Sequence, residues 1–225
     1  MKKFELTAES KTYWCGRTLY RIKACVDFTT TSGYEVKAGE LGGYVEKEPN
    51  LSHDGNAWVW GNAKVWGNAK VCGNAEVYGE ATVCGNAEVY GEAKVCGNAE
   101  VWGNASVFST EHIFCVAPIG EYASSLTLFR TKHLEVKVSF EYECYSVEEF
   151  KKVIEEWDDT KNREIALAVL EIGQKHIDLT TVVDEYEPCP FCGGKAELDE
   201  DSDVVVCTEC GTTAKEEIWN NRCDG

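Results

Sequence analysis

Four cysteines carry the most specific chemistry in this chain. Cys189 and Cys192 form one C-x2-C pair, Cys207 and Cys210 a second, with fourteen residues between the pairs. Two tight turns that each present two thiolates, joined by a β-hairpin, bring four sulfurs to one tetrahedral site suited to a single structural Zn2+. All four positions are filled by protein sulfur, so no coordination position is left for hydrolytic chemistry, and the metal would supply folding energy. A redox C-x2-C pair or a set of reduced thiols is the alternative reading. Cys223 lies thirteen residues beyond Cys210 and reads as a spectator thiol.

The elements that precede this motif follow a different rule. From Gly55 to Phe108 a Gly-Asn-Ala-x-Val-x pattern recurs, with nine valines six residues apart from Val59 to Val107 and nine alanines two residues ahead of them. A period of six fits neither a helix nor a sustained alternating strand, and it marks a solenoid. Each hexapeptide reads as a short strand and a corner, with Val and Ala inward and Gly-Asn at the turn, so nine hexapeptides predict three triangular coils. At about 4.8 Å per coil the stack is only about 14 Å high and needs a cap at each end. Glu80 and Glu92 replace Asn at two corners and predict strain or a different shape there.

Charge divides the rest. The chain has 22 basic and 39 acidic residues, a net charge of −17. Residues 1–52 carry +1 and 53–108 carry −3, whereas 109–186 carry −8 and 187–225 carry −7. Four segments result: an N-terminal cap with an irregular first coil (1–52), the hexapeptide run (53–108), an α+β module (109–186) and the cysteine ribbon (187–225). The fold class is therefore mainly β, a short left-handed parallel β-helix followed by a small α+β module and a C-terminal zinc ribbon. In the middle module His112 to Ala117, Ser125 to Thr131 and the alternating run Leu134 to Tyr142 read as three strands. Ser146 and Glu149 form a capping box before a helix with Val147, Phe150, Val153, Ile154 and Trp157 on one face. A second helix near Lys161 to His176 carries the apolar residues Ile165, Ala168, Val169 and Ile172.

The segments GRTLYRIKA at 16–24 and AGELGGYVEKEPNLSHDGNAWV at 38–59, with the GNA repeats, resemble the YdcK-like hexapeptide proteins of bacteria and phages. That resemblance covers about residues 4–108 and implies a left-handed β-helix without defining an activity. EPCPFCGGKAEL at 187–198, VVVCTECG at 204–211 and EEIWNNR at 216–222 resemble the zinc ribbon of the Lar family of restriction alleviation proteins. This second resemblance implies a phage or prophage origin and relief of host type I restriction; the rest of the Lar chain has no counterpart here.

The residue after each Val points outward and sorts into three columns: Trp60, Tyr78, Cys96; Trp66, Cys84, Trp102; and Cys72, Tyr90, Phe108. Three aromatic stripes predict that at least one is covered by the C-terminal module or by another subunit, hence an oligomer, with a ligand surface as the alternative. Trp60, Trp66, Tyr78, Tyr90 and Trp102, with Arg130 and Lys132 for phosphates, are the candidates for a sponge that holds a nucleotide-like ligand between subunits. Before the valines, Glu76 with Lys94 and Lys70 with Glu88 read as weak pairs between adjacent coils. Many hexapeptide β-helices are acyltransferases with a histidine base and a loop excursion. This run has no excursion, and its only histidines are His53 and His112 at the two ends, so acyl transfer ranks last and the chain reads as a non-enzyme.

The acids at Glu148, Glu149, Glu155, Glu156, Asp158 and Asp159, and at Asp199, Glu200, Asp201 and Asp203 in the ribbon, read either as an ordinary solvated surface or as a face offered to a basic partner. They argue against direct nucleic-acid binding. The combined expectation is a counter-defence protein that inhibits a host restriction or CRISPR nuclease complex, through a surface that mimics DNA. Met1-Lys2-Lys3 has no apolar stretch behind it and no membrane-spanning run follows, so the expected place is the bacterial cytoplasm, where the twelve cysteines would be thiols or metal ligands. Elemental analysis of the purified protein should find one zinc per chain. Chelation or Cys189→Ser should unfold the ribbon while leaving the solenoid's melting unchanged.

Overall fold

The computed structural model describes residues 2–13, 16–120, 122–180, 196–199, 204–207 and 213–215. The chain forms two compact units, residues 1–179 and 180–225. Cap, solenoid and α+β module thus belong to one unit.

β1 (Phe4–Thr12) and β2 (Thr18–Ala24) form an antiparallel hairpin, followed by the small hairpin of β3 (Phe28–Thr29) and β4 (Glu35–Val36), and by β5 (Leu41–Val45). The nine hexapeptide strands come next: β6 (Trp58–Val59), β7 (Lys64–Val65), β8 (Lys70–Val71), β9 (Glu76–Val77), β10 (Thr82–Val83), β11 (Glu88–Val89), β12 (Lys94–Val95), β13 (Glu100–Val101) and β14 (Ser106–Val107). Strands eighteen residues apart pair in parallel, so that Val65, Val83 and Val101 share a register, as do Val71, Val89 and Val107, and Val59, Val77 and Val95.

The solenoid extends two strand positions beyond the nine hexapeptides. Val45 pairs with Val65 and Leu51 bridges to Val71, so β5, Leu51 and β6 make a full first coil and the stack has about four turns. The repeat misses β5 and Leu51 because they lie twenty residues from their partners, not eighteen. Fully buried Asn50 absorbs the extra length: its amide donates to the carbonyls of Gly67 (3.2 Å) and Ala69 (2.8 Å).

Every Val from Val59 to Val107 is fully buried, and alanine at the inward corner position packs beside it. A corner needs one residue at positive φ, and glycine takes it: Gly79 stands at φ 76° and Gly91 at φ 60°, in line with the corners that carry Asn. Because the neighbouring residue stays at negative φ, Glu80 and Glu92 cause none of the distortion expected of them.

Both ends of the stack are closed. On one side β2 pairs antiparallel with β5, so the sheet runs β1-β2-β5-β7-β10-β13. The Lys3 ammonium sits over the first corner and donates to the carbonyls of Gly55 (3.1 Å) and Ala57 (3.0 Å). Burial pulls its pKa down to about 8. At the far end β15 (Ile113–Ile119), β16 (Ser124–Arg130), β17 (Val136–Phe140) and β18 (Glu143–Ser146) form an antiparallel meander. β16 lies between two cores: Phe129 joins the solenoid interior, while Leu126 and Leu128 join a second core with α1 (Val147–Glu155) and α2 (Thr160–His176). The module is therefore docked on the solenoid.

Two expectations for this module change. The run Leu134 to Tyr142 is not one strand, because Leu134, Glu141 and Tyr142 have positive φ (57°, 50° and 66°); a two-residue turn at Glu141-Tyr142 sends the chain back as β18. The buried face of α2 is also not set by its isoleucines. Ala166, Val169, Leu170 and Gly173 are buried, whereas Ile165 and Ile172 are 40% and 56% exposed. A Cβ on Gly173 would lie 2.7 Å from a Leu128 methyl carbon, so the helix turns its smallest residue to the sheet to approach it closely. The capping box at Ser146 and Glu149 forms as expected.

In the second unit β19 (Ala196–Asp199), β20 (Val204–Cys207) and β21 (Thr213–Lys215) form an antiparallel sheet in which Ala196 pairs with Cys207 and Asp199 with Val204. Cys207 thus ends a hairpin strand. Cys189, Cys192, Cys210, Glu200, Asp201 and Asp203 lie outside the described residues.

The corners can be tested by substitution. A Cβ at Gly85 (φ 74°) would lie 2.8 Å from the Gly103 amide nitrogen, whereas at Gly97 (φ 66°) it would meet nothing. Gly97→Ala should cost about 1 kcal/mol of backbone strain and Gly85→Ala about 2–3 kcal/mol, read by urea denaturation.

Candidate functional site

The three outward columns meet different fates. Trp66 and Cys84 are buried beneath Leu19 and Tyr44, with Tyr13 and Trp102 packed beside them; the Tyr13 and Trp66 rings lie 5.1 Å apart. The cap therefore covers this stripe. In the next column Tyr90 and Phe108 pack at 5.2 Å, the His112 ring meets the edge of Phe108 at 4.0 Å, and the Arg130 guanidinium lies 4.8 Å from the Phe108 centroid. Cys72 in the same column is disulfide-bonded, so the expectation of reduced thiols along the columns fails there.

Only the third column stays open. Tyr34 packs on Trp60 at 4.6 Å, but Tyr78 is 36% exposed and Cys96 is an exposed thiol. A hydrogen bond with Cys96 and partial burial push the Tyr78 phenol up to about 12.

Of the two residues suggested for phosphate binding, Arg130 is 6% exposed, reaches the Ser106 carbonyl and stacks on Phe108, so it is a junction residue and unavailable to a ligand. Lys132 remains on the surface, 2.8 Å from Glu88. The two end histidines are both engaged. His53 accepts the Lys3 amide proton at Nδ1 (3.2 Å), contacts Glu48 through Nε2 (2.7 Å) and stacks on Phe4. His112 is 1% exposed and its Nδ1 accepts the Phe108 amide (3.3 Å); burial and the nearby Arg130 charge pull its pKa down to about 4. An imidazole held neutral by burial caps the last coil.

The helical acids divide by use. Glu149 closes the α1 capping box, Asp159 caps α2 through the Asn162 amide (3.1 Å), and Glu148 pairs with Lys151 (2.7 Å). Glu155, Glu156 and Asp158 are exposed and have no polar partner among the described residues. They cluster at the α1–α2 turn around half-buried Trp157, whose ring packs on Phe140. Asp199 is described only as backbone at the end of β19.

One charged junction residue is invisible to sequence reasoning. Glu100, outward on β13, is roofed by the docked sheet: its carboxylate accepts from Ser139 Oγ (3.1 Å) and its amide donates to Thr127 Oγ1 (3.1 Å). Burial raises its pKa. Within the repeat it looks like any other surface glutamate, and only the docking of β16 and β17 distinguishes it. Among the described residues no group of three or more His, Cys, Asp or Glu side chains is arranged to hold a metal ion. No helix among them is long and apolar enough to cross a membrane. No protein-family model matches the chain, and no curated protein matches it significantly.

Because folding raises the Glu100 pKa, its contribution to stability is full below the unfolded value of about 4.5 and is lost as pH rises through the folded value. His112 acts in the opposite sense: stability falls as pH drops from 6.5 towards about 4. Glu100→Gln should therefore be more stable than the parent at pH 7 and lack the decline above pH 4.5 in urea titrations. A variant whose profile keeps that decline would remove Glu100 as its source.

Proposed function

We propose that this chain is a non-enzymatic binding protein of the counter-defence type, which inhibits a host nuclease complex by protein–protein contact. One observation carries the reading: among the described residues the exposed acids Glu155, Glu156 and Asp158, near one another in the chain at the α1–α2 turn, have no polar partner, whereas Glu80, Glu88 and Glu100 of the solenoid are held by Lys64, Lys132 and Ser139. Carboxylates gathered at a turn between two helices suit a groove that is basic because it normally holds DNA. The Lar-like C-terminal segment points to the same class of target, and its two C-x2-C pairs would hold a structural zinc. The hexapeptide pattern and the YdcK-like resemblance support left-handed winding for the solenoid.

The engagement of His53 and His112 in structural hydrogen bonds favours binding over acyl transfer. For a nucleotide sponge, burial of Arg130 and the Lys132–Glu88 pair leave the phosphates without the cations first suggested for them.

The reading is tested with a purified type I restriction enzyme and duplex DNA as competitor. Association should weaken steeply with salt and be displaced by DNA. The triple change Glu155→Lys, Glu156→Lys and Asp158→Lys should lower affinity by about tenfold or more without changing the melting temperature. Salt-insensitive association that survives this change and is lost on Tyr78→Ala would transfer the contact to the open solenoid column. No association with this enzyme or with a CRISPR effector would reject the reading.

A further inference from the structure

A cleft of about 480 Å³ opens at one corner of the upper coils, lined by Thr31, Glu92, Lys94, Phe108, Ser109 and Thr110 among others. Its walls come from separate parts of the fold: the tip of the β3–β4 hairpin on one side, and on the other the turn that leaves β14. The hairpin is anchored one coil below, where Thr31 Oγ1 donates to the Asn74 carbonyl (3.2 Å). Ser32 donates its amide (2.9 Å) and hydroxyl (2.6 Å) to Glu76.

That anchoring changes the charges around the cleft. Glu76 and Lys94 are ladder neighbours and would be expected to pair, but Ser32 takes the Glu76 carboxylate. Lys94 is left without a polar partner among the described residues. Glu92 is in the same position: Glu80, the other acid at a corner, accepts from Asn62 (2.7 Å) and Lys64 (3.2 Å), whereas Glu92 accepts from nothing described. Of the eight charged side chains from Lys64 to Glu100, Glu92 and Lys94 alone are so placed, and both line this cleft.

The hydroxyls complete a two-ended site. Ser109 Oγ accepts from the Glu111 amide (3.1 Å) and keeps its proton to donate. Thr31 Oγ1 spends its proton on Asn74 and keeps lone pairs to accept. One ammonium with a donating hydroxyl suits a carboxylate, and one carboxylate with an accepting hydroxyl suits a protonated amine.

We propose that this cleft binds a small zwitterion, a free α-amino acid or a molecule with the same pair of groups, with its carboxylate on Lys94 and Ser109 and its ammonium on Glu92 and Thr31. The site is separate from the acidic turn between α1 and α2, and neither depends on the other.

The probes are individual L-α-amino acids, with propionate and n-propylamine as analogues that carry one charge each. Binding is followed through the backbone amide resonances of Ser109 and Thr110 in the full-length protein. At least one amino acid should shift these resonances saturably, and both analogues should bind at least about tenfold more weakly. Lys94→Gln and Glu92→Gln, on the surface of an otherwise unchanged coil, should each weaken binding by about tenfold or more with the melting temperature preserved. Absence of saturable shifts up to about 10 mM would overturn the proposal, as would equal binding of propionate or binding indifferent to Glu92→Gln.

Discussion

A parallel β-solenoid satisfies its backbone hydrogen bonds only between coils, so each end exposes a rung of unpaired N–H and C=O groups over an apolar interior. With only about four turns, this solenoid has a large share of its structure at the ends, and the rest of the first unit answers that constraint. β2 pairs with β5 to continue one sheet outward, and the Lys3 ammonium takes up corner carbonyls. At the opposite end Thr131 bridges back to Ala105, Thr127 receives the Glu100 amide and Phe129 closes the hydrophobic column. The α1–α2 layer is needed in turn because β16 presents Leu126 and Leu128 on its other face.

End closure also decides which surfaces remain for binding. The cap consumes the Trp66 and Cys84 stripe, and the far-end junction consumes Arg130, a residue whose type alone would suggest a ligand site. What is left over is informative by subtraction. Among the described residues, charges without partners stand at the α1–α2 turn and in the cleft beside the β3–β4 hairpin, and one aromatic column stays accessible around Tyr78.

Much of the solenoid was legible because its signal is periodic and local. A six-residue repeat with Val and Ala inward requires a coil of three short strands whatever the rest of the chain does, and the predicted eighteen-residue register is the one observed. The first coil was partly hidden because β5 and Leu51 lie twenty residues from their partners, outside the repeat's spacing. The capping box at Ser146 was readable for the same local reason: Glu149 lies one turn away and meets the free amide of its own helix end. The buried face of α2 was not readable, since ranking side chains by hydrophobicity favours Ile165 and Ile172, whereas close approach to β16 favours Gly173.

The sequence by itself determined the repeat, its inward face, the boundaries of the charged segments and the spacing of the four ribbon cysteines, because each depends on residues near one another in the chain. Tertiary structure alone decided what those features are available to do. Arg130 became a buried strut, Glu100 a roofed carboxyl and Glu92 with Lys94 a couple without partners among the described residues, because partners and burial come from segments distant in the chain. Side-chain chemistry is a local property, but desolvation and pairing are set by whatever the fold places opposite, and the same glutamate serves as a strut, a surface charge or a ligand site accordingly.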